Sequence, residues 1–369
     1  MPPLEAWQKV FISDAEFAAG PFHAQPNCIV CHGGVAGADT QQEAHVGLVP
    51  DPSSSPEKVC GTCHADAVKT ASSSLHFNLQ GYQTVLEARG ADFSNPQTAE
   101  AYNNHCTSCH TTCGQCHVSR PAFTGGGLIA GHTFKKVASI KDTCLACHGG
   151  RVGPEYQGKN EGVQGDVHWM KGGMPCVTCH TVADFHGDGN QYAHRYDGTA
   201  TPACTDCHPG VAGGNDGVQQ HALHENKVAC QVCHSVGSYK QCYGCHVGKD
   251  DQGLPYRRTD KTELDFKIGL NPLQSEERPW KYVLLRHAPV TEDIFGYYGE
   301  DLLPTFDDVS TWKYTTPHNI QRVTPQNGAC NNCHDNADLF LTVDDVLPEE
   351  LEANQPVIVT ELPPAMPAQ

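Results

Sequence analysis

The chain has 369 residues, with 24 Lys and Arg against 42 Asp and Glu, so its formal net charge is −18. Such an acidic balance argues against nucleic acid as a partner, which needs a basic surface, and against simple electrostatic docking on an anionic membrane. Hydrophobic residues make up 38% of the chain, below the roughly 45–50% of ordinary globular domains, so a large side-chain core is not expected. No stretch approaches the roughly 18 apolar residues that a membrane-spanning helix needs.

One pattern, Cys-x-x-Cys-His, occurs ten times and accounts for every cysteine. The cysteines, in chain order, are Cys28 and Cys31, Cys60 and Cys63, Cys106 and Cys109, Cys113 and Cys116, Cys144 and Cys147, Cys176 and Cys179, Cys204 and Cys207, Cys230 and Cys233, Cys242 and Cys245, and Cys330 and Cys333. The histidines that complete motifs 1 to 10 are His32, His64, His110, His117, His148, His180, His208, His234, His246 and His334.

This pattern is the attachment signature of a c-type haem, in which two thiols form thioethers to the porphyrin and the adjacent histidine ligates the iron. We therefore expect ten covalently bound haem c groups. Ten disulfide bridges are the weaker interpretation, because disulfides do not require a histidine after every second cysteine.

The motifs divide the chain into consecutive predicted regions. These are 1–120 with motifs 1–4, 121–249 with motifs 5–9, 250–317 without a motif, 318–340 with motif 10, and an acidic, proline-rich tail over 341–369. Irregular spacing excludes a repeat of fixed period. The first cysteines of motifs 3 and 4, and of motifs 8 and 9, are only 7 and 12 residues apart, which predicts two close haem pairs.

The predicted fold class is a mostly irregular, haem-dense cytochrome with short helices and few strands, in which the stacked haems form the core. The 36 Gly and 25 Pro residues interrupt any long helix. Within 250–317, KYVLLRHAPV has a β-rich composition and TFDDVSTWKY an aromatic one, which predicts either a small β subdomain or a long arm over haems. The tail is expected to be a solvated extension; alternatively, PVIVTEL adds a strand to another subunit and builds a homo-oligomer or filament.

Twelve histidines lie outside the motifs and supply candidate second axial ligands. They are His23, His45, His76, His105, His132, His168, His186, His194, His221, His224, His287 and His318. Ten bis-histidine haems need ten of them, so we expect one spare in the pair His186 and His194 and one in the pair His221 and His224. His105 directly precedes Cys106 and is expected to reach a different haem. A distal ligand from a neighbouring subunit remains an alternative.

Other constellations are weaker. The stretches HGDGN (186–190) and GGNDG (213–217) place oxygen ligands on flexible loops and suggest calcium, although ordinary turns are the favoured interpretation. No Ser-His-Asp or nucleotide-binding motif is found, so no catalytic residue is predicted. The start, MPPLEAWQKV, has neither the basic nor the apolar region of a signal peptide. Because c-type haem is attached outside the cytoplasm, we expect a periplasmic or extracellular protein whose export signal is missing from the numbered chain.

Three segments resemble multihaem c-type cytochromes of metal- or sulfur-respiring anaerobic bacteria and archaea. They are HENKVACQVCHSVGSYKQCYGCHVG, FKIGLNPLQSEERPWKYVLLRHAPV and TWKYTTPHNIQRVTPQNGACNNCH, and the overall resemblance covers roughly residues 20–340. It implies that RHAP and TPHN are distal-ligand positions, matching His287 and His318. Extracellular cytochrome filaments are similar in haem density and bis-histidine ligation.

The resemblance implies an electron conduit that exchanges electrons with redox partner proteins or extracellular acceptors, alone or as a filament subunit. Octahaem hydroxylamine oxidoreductases and tetrathionate reductases also have a high haem density, bis-histidine ligation and little regular structure, but they need an open or unusual sixth position on one haem. A reductase or oxidase of a small nitrogen or sulfur compound is therefore the alternative function. A third is a haem-bearing subunit that docks a separate catalytic partner. The lysine-ligated motif of pentahaem nitrite reductases, Cys-x-x-Cys-Lys, does not occur, which counts against that activity.

Overall fold

The computed structural model describes residues 27–198 and 202–367 together with the isolated positions 13, 15 and 23, without the side chains of 240–241 and 261–264. The start of the chain, on which the expectation about export rests, lies outside these residues. Two compact units are formed. Unit 1 comprises 1–81, 106–149 and 176–199, and unit 2 comprises 82–105, 150–175 and 200–369. Motifs 1–6 thus belong to unit 1 and motifs 7–10 to unit 2, a division that differs from the predicted consecutive regions.

The helices of the described chain are short, and the longest, α6, has 10 residues. In chain order the α-helices are α1 Cys28–His32, α2 Gln41–Ala44, α3 Ala65–Ala71, α4 Leu75–Asn78, α5 Gln80–Glu87, α6 Pro96–His105, α7 Cys113–His117, α8 Leu145–His148, α9 Val152–Gln157, α10 Val167–Gly172, α11 Val182–His186, α12 Cys204–Cys207, α13 Gln219–His224, α14 Cys230–His234 and α15 Leu351–Asn354. Single 3₁₀ turns connect many of them, and a π-helical turn, Ile140–Cys144, precedes α8.

Nine of the ten motifs lie on a helical turn. In α1, α7 and α14 the five motif residues form the whole helix, and in motifs 2, 3, 6 and 10 a 3₁₀ turn takes this place. Residues at i, i+3 and i+4 share one face of a helical turn, so the two thiols and the histidine point the same way. The local chain therefore presents all three attachment groups to a single flat ligand.

Motif 9 is the exception, because it lies inside a strand. Strand β1, Tyr239–Lys249, pairs antiparallel with β2, Pro255–Leu264, with an irregularity between residues 240 and 243. Gly244 within the motif has a positive φ of 64°, which a residue with a side chain rarely adopts. Successive strand residues point to opposite faces. Accordingly, Cys245 packs against an apolar cluster of unit 2, whereas His246 turns towards Asp260.

Unit 2 also contains a three-stranded antiparallel sheet in the order β3-β4-β5. Its strands are β3 Phe266–Leu270, β4 Tyr282–His287 and β5 Trp312–Tyr314. Leu341 N–H donates to Ile268 O (2.8 Å), and Val359 N–H donates to Leu341 O (2.8 Å). Together with Val283 and Leu285, these side chains form a conventional buried core. The motif-free segment 250–317 therefore contains four strands in full, β2 to β5, of which β3 to β5 form this sheet of unit 2.

A second apolar cluster of unit 2 surrounds Phe295. It contains Ala91, Ala101, Val247, Ile294, Phe295, Tyr298, Leu302, Leu303 and Phe306. The guanidinium of Arg89 lies 5.1 Å from the centre of the Phe306 ring, so this otherwise buried cation rests on an aromatic face.

Unit 1 is built differently. Among its described residues, the buried hydrophobic side chains are only Ala71 and Leu79. Polar contacts join its segments instead: the Ser53 and Thr112 hydroxyls are 2.7 Å apart, and Gly189 N–H donates to Ser73 Oγ over 3.0 Å. Gly114 lets motif 4 approach Ser53 closely, because a Cβ there would lie 2.6 Å from Ser53 Oγ. Side-chain burial alone gives this unit little to fold around.

The tail corrects one sequence expectation. Val357, Ile358 and Val359 are 0%, 4% and 5% exposed, so a solvated extension is wrong for this stretch. The reason is hydrophobic: VIV completes the edge of the unit 2 core beside Leu341. These are the side chains that strand addition to another subunit would use, and they are occupied within the chain. In the described part of the chain, no helix combines the length and apolar character needed to cross a bilayer.

Candidate haem-binding sites

Seven of the ten motif histidines face a histidine from outside the motifs. In unit 1 the ring centres are separated by 6.2 Å in His23–His64, 6.0 Å in His32–His132, 6.1 Å in His76–His148 and 6.1 Å in His117–His186. In unit 2 they are separated by 6.1 Å in His168–His208, 6.0 Å in His221–His234 and 6.1 Å in His224–His334. Each pair joins one motif histidine to one predicted distal histidine.

These separations fit two axial ligands of a single iron. A histidine nitrogen lies about 2 Å from a bound transition metal and about 1.1 Å from its own ring centre, so two imidazoles on opposite faces have ring centres roughly 6 Å apart. In the described chain, no group of three or more His, Cys, Asp or Glu side chains could hold a metal ion. A pair of histidines supplies two ligands, which suits a metal that brings its other four, as a porphyrin-bound iron does.

Backbone carbonyls orient several motif histidines. Nδ1 lies 2.9 Å from Val49 O in His32 and 2.7 Å from Lys135 O in His117, both in unit 1. In unit 2 the same nitrogen lies 3.0 Å from Gln321 O in His234, and 2.9 Å from Pro364 O in His334. A carbonyl only accepts, so Nδ1 carries the proton and Nε2 is left as the metal-binding nitrogen.

In unit 2, a carboxylate accepts the hydrogen bond from Nδ1 in two of the predicted distal histidines. His168 Nδ1 lies 2.8 Å from Asp166 Oδ1, and His221 Nδ1 lies 2.6 Å from Asp216 Oδ2. The Val218 backbone N–H, which donates to Asp216, holds the pKa of this carboxyl below its usual value, and His221 adds to the effect. An ionised partner of this kind raises the basicity of a ligating imidazole.

Thiols from different motifs lie in contact. In unit 1 the contacts are Cys60 with Cys113, Cys109 with Cys147, and Cys144 with Cys176, and in unit 2 Cys204 contacts Cys230. The hydrogen bond from Cys60 lowers the pKa of the Cys113 thiol to about 7. If each thiol carries a haem, as the motifs predict, such contacts would bring neighbouring haem edges together.

Three motif histidines have other neighbours. The His110 ring lies 5.2 Å from Phe77, and His180 Nδ1 lies 3.9 Å from Asp184 Oδ2. His246 has Asp260 Oδ2 2.6 Å from Nε2 and Asp293 Oδ1 3.5 Å from Nδ1. No second histidine ring contacts His110 or His246 among the residues that the structure describes. At His246, the nitrogen that would bind iron is hydrogen-bonded to Asp260, so a haem at motif 9 would have to displace this carboxylate.

The remaining predicted ligands lie at other positions within their units. His45 is exposed. His105 Nε2 lies 2.8 Å from Tyr298 Oη, and burial lowers the pKa of His105 to about 4. The His194 ring lies 5.2 Å from that of Tyr196. For these three histidines, ligation stays a prediction.

The two ligands implied by the resemblance are anchored by buried acids. His287 Nε2 lies 2.8 Å from Glu350 Oε2, and His318 N–H donates to Glu155 Oε2 over 2.8 Å. Glu155 is fully buried and also binds Arg151 at 2.8 Å. The role of His287 and His318 as distal ligands likewise stays a prediction.

One of His221 and His224 was expected to be spare, yet both face a motif histidine. Helix α13 carries both, three residues apart, and each ring faces a different motif histidine, His234 or His334. One short helix can thus serve two sites. The suggested calcium loops are already engaged: Asp188 accepts from Tyr192 Oη (2.7 Å) and Asp216 binds His221.

Sequence reasoning missed the residues that surround the paired histidines, above all Asp166, Asp216, Phe77 and Phe185. A signal existed for Asp166, because Asp-Val-His places an N-cap two residues before a histidine, and the carboxylate accepts from the His168 N–H at 2.8 Å. No such local signal marks the two phenylalanines. The chain matches no protein-family model, and comparisons with curated proteins and with solved structures found no significant match.

Proposed function

We propose that this protein transfers electrons outside the cytoplasm through ten covalently bound haem c groups. The observation that carries the proposal is the set of seven histidine pairs, each with one motif member and ring centres 6.0–6.2 Å apart. Bound haem supplies one-electron chemistry, and two histidine ligands leave no position for a substrate. This is the ligation expected of a carrier rather than an enzyme.

The chain's own residues would attach, orient and space these groups. Cysteines at i and i+3 hold each porphyrin, and the backbone carbonyls of Val49 and Lys135 fix imidazole orientation. Thiol contacts such as Cys60 with Cys113 set neighbouring sites edge to edge. Close, fixed spacing favours transfer from one site to the next without a diffusing intermediate.

The acidic surface fits redox partners or acceptors with basic or metal-oxide surfaces rather than nucleic acid. Assembly into a homo-oligomer or conductive filament is part of this proposal, with exposed His45 as a chemically suitable contact. It would not use Val357–Val359 unless that segment left the core of unit 2.

A haem count and an EPR spectrum of the oxidised, haem-loaded protein test the proposal. Pyridine haemochrome should give ten haems per chain, and the EPR spectrum should be dominated by low-spin signals that cyanide leaves unchanged. Replacing His132 with Ala should convert one haem to a high-spin, cyanide-binding form, whereas replacing Val46, which is 64% exposed, with Ala should not. A protein that carries no covalent haem after expression with a maturation system would overturn the proposal.

Motif 9 favours the alternative, reduction or oxidation of a small nitrogen or sulfur compound. Among the described residues no second histidine ring faces His246. This histidine contacts Asp293, which also lines a cavity of about 210 Å³ with Glu292, Phe295 and Glu300. A haem attached there without a second protein ligand would have an open position. In that case the oxidised protein should show one high-spin haem, and replacing Asp293 with Asn should alter cyanide binding at that haem alone.

A further inference from the structure

The two cysteines of motif 5, one just before helix α8 and one within it, contact thiols of two other motifs. Cys147 contacts Cys109 of motif 3, and Cys144 contacts Cys176 of motif 6. Motifs 3 and 6 of unit 1 therefore both lie beside this one.

Helix α4 ties motif 5 to motif 3 independently of the cysteines. His76 faces His148 of motif 5 with ring centres 6.1 Å apart, and the next residue, Phe77, lies 5.2 Å from His110 of motif 3. Both the N–H and the hydroxyl of Thr111 donate to His76 O, at 3.2 and 2.9 Å. The distal ligand of motif 5 is thereby hydrogen-bonded to the chain just after motif 3.

Helix α11 links motif 5 to motifs 6 and 4 in the same way. The Phe185 ring lies 5.6 Å from His76 and 6.4 Å from His180 of motif 6. The adjacent His186 faces His117 of motif 4 at 6.1 Å. Two consecutive side chains on one short helix thus reach three motifs.

Other sites have simpler surroundings. In motif 1, Cys31 lies near the thiols of motif 2, and in motif 2 Cys60 contacts Cys113 of motif 4. This succession is linear: motif 1, motif 2, motif 4. At motif 5, by comparison, cysteine contacts and aromatic contacts both lead to more than one further motif.

We propose that the motif 5 site is a branch point at which the electron path of unit 1 divides towards motifs 3, 4 and 6. This inference rests on the proposed electron-transfer function and adds its connectivity. The Phe77 ring contacts His110, and the Phe185 ring contacts both His76 and His180, so these two side chains join the distal ligand of motif 5 to the histidines of motifs 3 and 6. An electron arriving from motif 4 then has two onward routes instead of one.

A pair of matched ligand variants tests the branch in the haem-loaded full chain. His76→Met changes the distal ligand at motif 5, and His132→Met makes the same change at motif 1. Methionine ligation raises the potential of its own haem, and the altered charge state shifts neighbouring haems in a redox titration followed by EPR. We expect His76→Met to shift the signals of three further haems, and His132→Met the signal of only one. A tenfold change in a one-electron equilibrium corresponds to about 59 mV.

Shifts at no more than one neighbour in His76→Met would show a linear path and overturn the branch. If His76→Met does not fold, Phe185→Leu and Phe77→Leu remain available, because both keep an apolar side chain. Phe185→Leu should perturb the signals of motifs 5 and 6, and Phe77→Leu those of motifs 5 and 3; perturbation of motif 5 alone by both would also contradict the branch. Absence of low-spin signals from the unaltered protein would instead contradict the proposed function itself.

Discussion

Unit 1 and unit 2 differ in how many hydrophobic side chains they bury. Unit 2 carries four motifs and encloses two apolar clusters, one around Leu285 and Leu341 and one around Phe295. Unit 1 carries six motifs, yet only Ala71 and Leu79 are buried hydrophobic residues among its described positions. Where motifs are dense, the chain has few apolar side chains left to bury.

The difference indicates what each unit depends on. A fold needs enough buried apolar surface to offset the conformational entropy lost on folding. Unit 2 supplies that surface from its own side chains, whereas unit 1 must obtain it from attached porphyrins if the proposed function is right. The comparison therefore predicts that haem loading matters far more for unit 1.

The largest expected effect comes from making the full chain without haem attachment. Unit 1 should then lose its folded structure, so that its amides exchange with solvent almost without protection. Amides of β4 and of residues 357–359 should stay protected, because their core consists of side chains. Hydrogen exchange read by mass spectrometry measures both in one sample, and strong protection of residues 106–149 without haem would contradict the comparison.

The next effect is confined to unit 2. Replacing Leu285, which is fully buried, with Ala should lower the stability of this unit by about 2–5 kcal/mol, since it opens a cavity. Leu254→Ala is the matched control; that side chain is 58% exposed, so its loss should change stability by less than about 0.5 kcal/mol. Exchange rates of β4 amides report the difference. Equal effects of the two changes would mean that unit 2 does not rely on this core.

A smaller effect concerns the carboxylates that accept hydrogen bonds from the predicted distal histidines of unit 2. Asp166→Asn removes the charge that accepts from His168 Nδ1, so the imidazole becomes less basic and the potential of the motif 7 haem should rise. We expect a shift on the order of 59 mV, a tenfold change in a one-electron equilibrium, in a spectroelectrochemical titration. Asp188→Asn, on an exposed turn in unit 1, is the control and should leave every midpoint in place.

The smallest expected effect concerns the EPR signals of two sites within unit 1, those of motifs 1 and 2. The ring planes of His23 and His64 are 26° apart, whereas those of His32 and His132 are 76° apart. Near-perpendicular axial imidazoles make the two iron orbitals that they overlap nearly equal in energy, which gives a strongly anisotropic EPR signal. The Phe134 ring stacks on His23 with centres 4.1 Å apart. Phe134→Leu should therefore change the EPR signal of motif 2, and an unchanged signal would show that this stacking does not set the orientation of the His23 ring.

Much of the candidate site could be predicted because its signal is local. The motif residues at i, i+3 and i+4 share a helical face, so the attachment points need no knowledge of the rest of the fold. The strand formed by KYVLLRHAPV was also readable from its composition, and the structure has β4 there. The tail was misjudged, because acidic and proline-rich flanks concealed the apolar run VIV that the sheet buries.

The sequence by itself determined the number of attachment motifs, the identity of the motif histidines, and a supply of distal histidines large enough for ten sites. Tertiary structure alone decided which histidines meet, such as His32 with His132 or His224 with His334. It also decided that Cys144 and Cys147 face different motifs, and that motif 9 lies in a strand beside Asp260. The physical reason is the separation in sequence of the residues involved. The attachment motif occupies one turn of chain, whereas the pairing of histidines depends on how distant segments pack against each other.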